Sequence, residues 1–215
     1  MTCPSDGQLL RAHRAGDATA FTELVNLHQA ALLRHARALL GPGSLYEDVV
    51  QDVFLKLAER PPVIPPEVEG DRELERVHLS NWLHKVTRNG CMDIMRSETR
   101  RKRREHDAAA VDVSEGGLSA VDENDTRAAV ERELEKLPVD QREVLVLRLI
   151  NERSYKEIAE ITGKKIGTVG WLVSVGLKTL SRELAPLLER SNASDGRTGE
   201  ETSPARLGLA QGELS

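Results

Sequence analysis

Apolar residues recur at three- and four-residue intervals along most of the chain, so the pattern predicts a succession of helices. A short helix over Gln8–His13 ends near Gly16. Asp17 then stands where an N-cap belongs, ahead of a long helix with Phe21, Leu24, Val25, Leu32, Ala36 and Leu39 as its apolar stripe. Gly41-Pro42-Gly43 stops it. Ser44 and Glu47 have capping-box spacing and open a helix to about Arg60, with Val49, Val50, Val53 and Leu57 inward. Pro61–Arg76, rich in proline and acids, reads as a loop with at most one helical turn, and a further helix starts from Ser80 with Trp82, Leu83, Val86 and Met92 or Met95 inward. Beyond it, Arg127–Leu137 is amphipathic through Val130, Leu134 and Leu137. Pro138 suits the first turn of a helix to about Ile150 that buries Val144, Leu145 and Leu147.

The pattern then tightens over Ser154–Leu180 into two short helices around a turn. Ser154 and Glu157 form a second capping box, and Tyr155, Ile158, Ala159 and Thr162 share one side of the helix that follows. Gly163 falls where that helix must stop, because it takes a left-handed conformation without strain. A second helix from about Ile166 turns Val169, Leu172, Val173 and Leu177 inward. Small Ala159, turn-making Gly163 and anchoring Val169 have helix-turn-helix spacing, which fits DNA binding and equally fits an ordinary helical hairpin.

Composition narrows the class. With 30% charged and 3% aromatic residues among 215, the chain suits a soluble helical protein of one or two domains. A net charge of −5 does not itself suggest nucleic acid, so any such function must rest on local basic patches. One exists: the Ser80 helix interleaves His84, Lys85, Arg88, Asn89 and Arg96 and runs into Arg100–Arg104, a stretch that pairs aromatic and cationic residues suited to phosphates and an unpaired base. The same run also fits a solvated helix end. On the earlier helix, Asp48, Gln51 and Asp52 lie three and four apart and make a compact acceptor-rich face. Glu105–Thr126 holds seven acids and no Lys or Arg, and reads as a flexible acidic linker. Cys3 and Cys91 are too few for a disulfide scaffold or zinc site and read as reduced thiols, and no apolar run suggests a membrane span or signal peptide. Without paired nucleophile and base, phosphate loop or metal cluster, no catalytic residue, metal or cofactor is expected. The expected architecture is all-α: two small helical domains, 1–105 and 127–190, a flexible linker at 106–126 and a disordered tail at 191–215 that reads as a solubilising end.

Three stretches in this order resemble a bacterial RNA polymerase sigma factor of the extracytoplasmic-function (ECF) type. DATAFTELVNLHQAALLRHARALLG with EDVVQDVFLKLAER is similar to the start of the family's first conserved domain. NWLHKVTRNGCMDIMRSETRRKRRE is similar to its melting and −10-reading helix, and LEKLPVDQREVLVLRLINERSYKEIAEITGKKIGTV to its −35-reading domain. The resemblance implies a cytoplasmic transcription initiation factor whose partners are core RNA polymerase and promoter DNA, with no membrane partner. By position it gives Asp48, Gln51 and Asp52 a polymerase contact and leaves Val53 and Phe54 in the core. Arg88, Asn89 and Arg96 would hold phosphates or base edges; Trp82 would be core or a stacking wall; the run containing Arg100, Arg101 and Arg103 would follow the duplex. Whether an anti-sigma protein or the tail controls activity is left open.

The departure from the family lies in the second helix of the helix-turn-helix. After Gly167-Thr168-Val169 the family continues with Lys-Ser-Arg and a further Arg, whereas this chain reads Gly170, Trp171, Leu172 and Val175. From Ile166 to Ser181 only Lys178 is charged. Losing cations weakens DNA binding and makes it less salt-sensitive, with Lys164 and Lys165 at the turn recovering part of it. Thr168, Trp171 and Ser174 are the side chains placed to face a groove. The alternative is a sigma-like regulator in which Trp171, Leu172 and Val175 form an apolar face for a protein partner.

Overall fold

In the computed structural model the described residues are 4–42, 45–108 and 126–195, and every regular element among them is helical. The order is α1 (Asp6–Arg14), α2 (Ala18–Leu40), α3 (Leu45–Glu59), α4 (Arg72–Ala108), α5 (Thr126–Lys136), α6 (Val139–Leu145), a π-helical turn at Val146–Ile150, α7 (Tyr155–Thr162) and α8 (Ile166–Asp195). The all-α expectation holds for these residues. The expected Ser44–Glu47 box and most of the 106–126 linker lie outside them.

Two helix starts differ from the sequence reading, each for a local reason. Helix α1 begins at Asp6 because Ser5 and Gln8 cap it reciprocally: Ser5 Oγ accepts from the Gln8 amide at 3.2 Å and Gln8 Oε1 from the Ser5 amide at 2.9 Å. Helix α4 begins at Arg72, well before Ser80, because Asp71 Oδ1 accepts from the amides of Glu73 and Leu74, both at 3.0 Å. The acids that made this stretch look like a loop sit in the first turn, where the helix dipole favours negative charge. Glu75 turns inward: its Oε2 accepts from the Gly7 amide at 3.0 Å and its Oε1 from the Gly70 amide at 2.9 Å. That carboxylate ties the ends of α1 and the loop to α4. At the far ends, α4 continues through Ala108 and α8 through Asp195, so the residues just past 105 and 190 are helical rather than linker or disordered tail.

Packing produces two apolar cores. The first joins Leu9 and Leu10 of α1, Leu24, Leu32, Ala36 and Leu39 of α2, Val49, Val50, Val53, Phe54 and Leu57 of α3, and Leu79, Leu83 and Cys91 of α4. Trp82 packs half-buried against it, and Asp17 caps α2 as expected, accepting from Thr19 at 2.8 Å. The second gathers Leu134 and Leu137, Val144, Leu145 and Leu147, Ile158 and Ile161, and Val169, Leu172, Val173 and Leu180. Leu177, expected inward, is exposed instead. The inward stripe of α8 passes from Val173 through Gly176 to Leu180, and the absence of a side chain at Gly176 lets α6 approach.

That approach is tight. A Cβ at position 176 would meet Leu145 Cδ1 at 2.9 Å and Cγ at 3.2 Å, and Leu145 is fully buried. At Gly167, by contrast, a Cβ would meet nothing within 4 Å. Overpacking costs about 1–3 kcal/mol, against a helix-propensity gain of about 1 kcal/mol for Gly to Ala. Gly176→Ala is therefore expected to lower stability by about 1–2 kcal/mol, and Gly167→Ala to raise it by up to about 1 kcal/mol. Chemical denaturation of the two variants checks the opposite signs.

Candidate nucleic-acid interface

The helix-turn-helix is built as its sequence spacing requires. Ser154 Oγ accepts from the Glu157 amide at 3.3 Å and the Glu157 carboxylate accepts from the Ser154 amide at 2.8 Å. Burial alone would raise the Glu157 carboxyl, but the Ser154 hydroxyl and amide and the Arg153 guanidinium hold it below the ordinary carboxylate value. Gly163 closes α7 in the left-handed region, with φ 70° and ψ 13°. Ile158, Ile161 and Thr162 are buried with Val169, while Tyr155 is exposed beneath the Arg148 guanidinium, 5.3 Å from its ring centre.

On α8, Thr168, Trp171 and Ser174 all point to solvent, and Trp171 is 60% exposed. Of the two turn lysines, Lys165 is exposed, whereas Lys164 Nζ lies 3.0 Å from Asp140 of α6. The basic helix divides more sharply. Asn89, Arg96, Arg100 and Arg103 recur on one exposed side of α4, with Arg101 also exposed beside them. Arg96 bonds Asp93 at 3.2 Å in solvent, a pairing worth little and readily exchanged. Asp48, Gln51 and Asp52 lie exposed together on α3, opposite its buried Val49, Val53 and Leu57.

Arg88 departs from this group. Its side chain is only 19% exposed and its Nε donates at 2.9 Å to Glu143 Oε1 of α6. Asn81, His84 and Arg88 form a second stripe on α4 that faces the other half of the chain. Asn81 Nδ2 donates to Glu160 of α7 at 3.1 Å, and His84 Nδ1 lies 3.0 Å from His35 Nδ1. His35 Nε2 in turn lies 3.2 Å from the same Glu143 oxygen. One arrangement of protons satisfies all three contacts with both imidazoles neutral: His84 Nδ1–H donates to His35, His35 Nε2–H donates to Glu143, and Arg88 supplies the counter-charge.

Sequence reasoning missed the partners of this seam. Glu143 sits among Val144, Leu145 and Leu147 in a helix whose apolar residues drew the attention, yet its carboxylate is buried. The π-helical turn that follows rotates Asn151 onto α2, where it accepts from Arg34 Nε at 3.1 Å and donates to Ala31 O at 3.0 Å. Arg142 adds a bond from Nε to Ala38 O and another from an Nη to Glu135 O at 2.8 Å. The only signal available beforehand was the spacing of Asn81, His84 and Arg88, polar residues recurring on one flank of α4. Cys91, buried beside the seam, has its thiol pushed up to about 12 by burial and by the Glu143 charge, which makes it unreactive at neutral pH.

Two helical bodies, one bearing a cationic helix stripe and the other a helix-turn-helix, are the architecture of a DNA-binding transcription factor. Family models agree: Sigma-70 region 2 matches residues 24–101 and Sigma-70 region 4 matches residues 127–180. The chain is 31% identical to the ECF RNA polymerase sigma factor SigM of Mycobacterium tuberculosis over 77% of each chain. It is 26% identical to SigW of Bacillus subtilis over 81% of this chain and 94% of that one. Among solved structures it is similar to the sigma factor RpoE of Bartonella quintana, crystallised with the anti-sigma factor NepR, at a TM-score of 0.58 and 25% identity, covering 77% of this chain and 96% of that one. It is also similar to CnrH in complex with the cytosolic domain of CnrY, at a TM-score of 0.56 and 26% identity, over 85% of this chain and 99% of that one. The chain belongs to the ECF RNA polymerase sigma factors, and its function is to direct promoter recognition in transcription initiation.

The seam carries a pH dependence. Burial first, then the neighbouring His35 and the guanidinia of Arg153 and Arg34, hold the His84 imidazole well below its ordinary value of 6.5. Glu143 and Arg88 complete the charged groups around this cluster, with His28 further along α2. A depressed histidine means that the unfolded chain takes up the proton first as pH falls. The contribution of the seam is thus complete above about 6.5 and is lost progressively below it. Lowering the pH from about 7.5 to about 5.5 should lower the midpoint of thermal unfolding, and His84→Gln should flatten that dependence. Melting curves across this range, followed by circular dichroism, check both.

Proposed function

We propose that the exposed stripe Asn89, Arg96, Arg100 and Arg103, with Arg101 beside it, is the surface on which the first half of the chain holds melted promoter DNA. The observation that carries this is the alignment of its cations on one side of α4, away from both apolar cores. A row of guanidinia spaced by three, four and seven residues neutralises successive phosphates, and an amide among them reads a base edge. Captured unpaired bases offset the few kcal/mol, roughly, lost on unstacking. Arg88 joins them once it is released from Glu143. The acceptor-rich face of Asp48, Gln51 and Asp52 is the docking surface for core RNA polymerase, its exposure opposite a buried face being what supports that role.

In this reading residues 1–105 bind polymerase and the −10 region, and residues 127–190 dock upstream through Lys164, Lys165, Thr168, Trp171 and Ser174. With few cations on α8, apolar contact of Trp171 and Thr168 with thymine methyls replaces much of the phosphate contact. The protein acts in the cytoplasm and performs no catalysis of its own, the polymerase making the RNA. Its similarity to RpoE, solved in complex with the anti-sigma factor NepR, and to CnrH, solved in complex with the cytosolic domain of CnrY, supports an anti-sigma protein as a further partner. A second reading rests on the 60% exposure of Trp171, which equally suits a protein partner in place of a −35 element.

Run-off transcription with core polymerase on a pool of genomic promoter fragments tests these roles. Arg96→Ala is expected to reduce specific transcripts by about tenfold or more, the range for a lost base or phosphate contact in a cooperative site. Trp171→Ala is expected to reduce them as well; transcripts unchanged in that variant would favour the protein-partner reading. Full activity of Arg96→Ala would remove the DNA stripe from the mechanism.

A further inference from the structure

Where α5, α6 and the π-helical turn meet α2, a cavity of about 310 Å³ remains. Its wall is apolar, with Val130 and Leu134 of α5 and Val146 and Ile150 of the turn, and it opens to solvent beside Ile150, which is 42% exposed. Arg34 and Arg37 of α2 and Arg142 of α6 line it as well, so among the described residues three guanidinia stand against one carboxylate, Glu135. Arg34 Nε donates to the neutral Asn151 amide oxygen, and Arg142 directs Nε and one Nη to the carbonyls of Ala38 and Glu135. The Glu135 carboxylate bonds Arg37 at 3.4 Å with both side chains partly exposed, a pairing worth little. A guanidinium carries five N–H donors, so Arg34 and Arg142 each keep donors beyond these bonds. Burial holds Arg142 below its ordinary value, with the Glu135 charge opposing that shift. A half-buried cation whose hydrogen bonds go to neutral carbonyls favours an anion beside it.

We propose that this cavity binds a small amphiphilic anion, its apolar body against Val130, Leu134, Val146 and Ile150 and its carboxylate or phosphate head on Arg34 and Arg142. The site is separate from the roles assigned to α4 and α8. An apolar wall with a few convergent polar groups is the common form of a small-molecule site, and about 300 Å³ is the lower end of its size range. At about 30 Å³ for each group the size of a water, the volume holds roughly ten non-hydrogen atoms, which fits a head group on a chain of about eight carbons. Each part of such a ligand has its own task. Burying the chain drives binding without fixing an orientation. The planar guanidinium fork orients the head, through charge-assisted bonds that are stronger in a partly desolvated site than in water. A neutral ligand of equal length leaves Arg142 without its anion, and a bare anion leaves the apolar wall uncovered.

Isothermal titration calorimetry on the full chain tests this with octanoate and octyl phosphate as probes. At least one should bind at a single site, and the tighter of the two identifies the head group. Octan-1-ol and acetate, which each lack one part, should bind at least about tenfold more weakly. Arg142→Gln retains a donor for the backbone carbonyls and removes the charge, and should weaken the better probe by about tenfold or more. Val130→Trp fills the cavity from a partly buried position and should abolish saturable binding. Should Arg142→Gln lose helicity by circular dichroism, Arg34→Gln, at an exposed position, takes its place with the same expected direction. Failure of both probes to bind the wild type overturns the site, as does equal affinity for the better probe and octan-1-ol. Undiminished binding in the arginine variant, or in a Val130→Trp chain of wild-type helicity, overturns it as well.

Discussion

Glu143 is a full carboxylate with no solvent exposure, placed by α6 at the point where α2 and α4 converge. A buried charge of this kind costs several kcal/mol, roughly, unless it is paired and hydrogen-bonded. Its partners come from the other half of the chain: Arg88 from α4 and His35 from α2, with His84 behind His35. The arrangement of the two halves therefore follows from satisfying one charge. The geometry of the π-helical turn follows in the same way, because it directs Asn151 to Arg34 and the Ala31 carbonyl while leaving Val146 and Leu147 buried.

Much of the fold was legible because its elements rest on local rules. The Ser154–Glu157 box, the Gly163 turn and the Asp17 cap each need only three or four neighbouring residues, and they stand as the spacing requires. Local chemistry also explains the misreadings. The acids before Ser80 resembled a loop, but Asp71 caps a helix and Glu75 turns inward to bond two amides, Gly7 and Gly70, the former 68 residues away in sequence. Leu177 looked inward by periodicity, whereas the close approach of α6 selects Gly176 for the contact. In the candidate site, the exposed stripe of α4 could be read from charge and spacing. The partner of Arg88 could not, since no local pattern connects residues 88 and 143, and a glutamate among apolar residues carries no mark of what it will meet.

The distribution of charge then separates the tasks of the two halves. Phosphate neutralisation supplies most of the salt-dependent affinity for nucleic acid. The chain as a whole carries −5, yet α4 projects several guanidinia from one side, while α8 between Ile166 and Ser181 has only Lys178. Of the turn lysines, Lys164 is already engaged by Asp140. On the proposed reading, electrostatic attraction to DNA is concentrated in the first half, and the second contributes shape and apolar contact through Trp171 and Thr168. On that proposal the hold on a promoter is gained chiefly where the strands have separated, where the phosphates of one strand and the faces of its bases are both accessible.

The polar character of the seam matters for the same reason. Two halves joined by an apolar surface would expose that surface on parting, at about 25 cal/mol for each Å². Here the hydrogen bonds across the junction join imidazole, guanidinium, carboxylate and amide groups, and Val139 of the second half also packs against the first core. Water satisfies such groups, so their net contribution is modest even though each is exacting about its partner while buried. Strong geometric demand combined with a small net free energy means that these bonds specify how the halves meet more than they stabilise the meeting. An apolar junction of equal area would contribute more to stability and specify the arrangement less sharply.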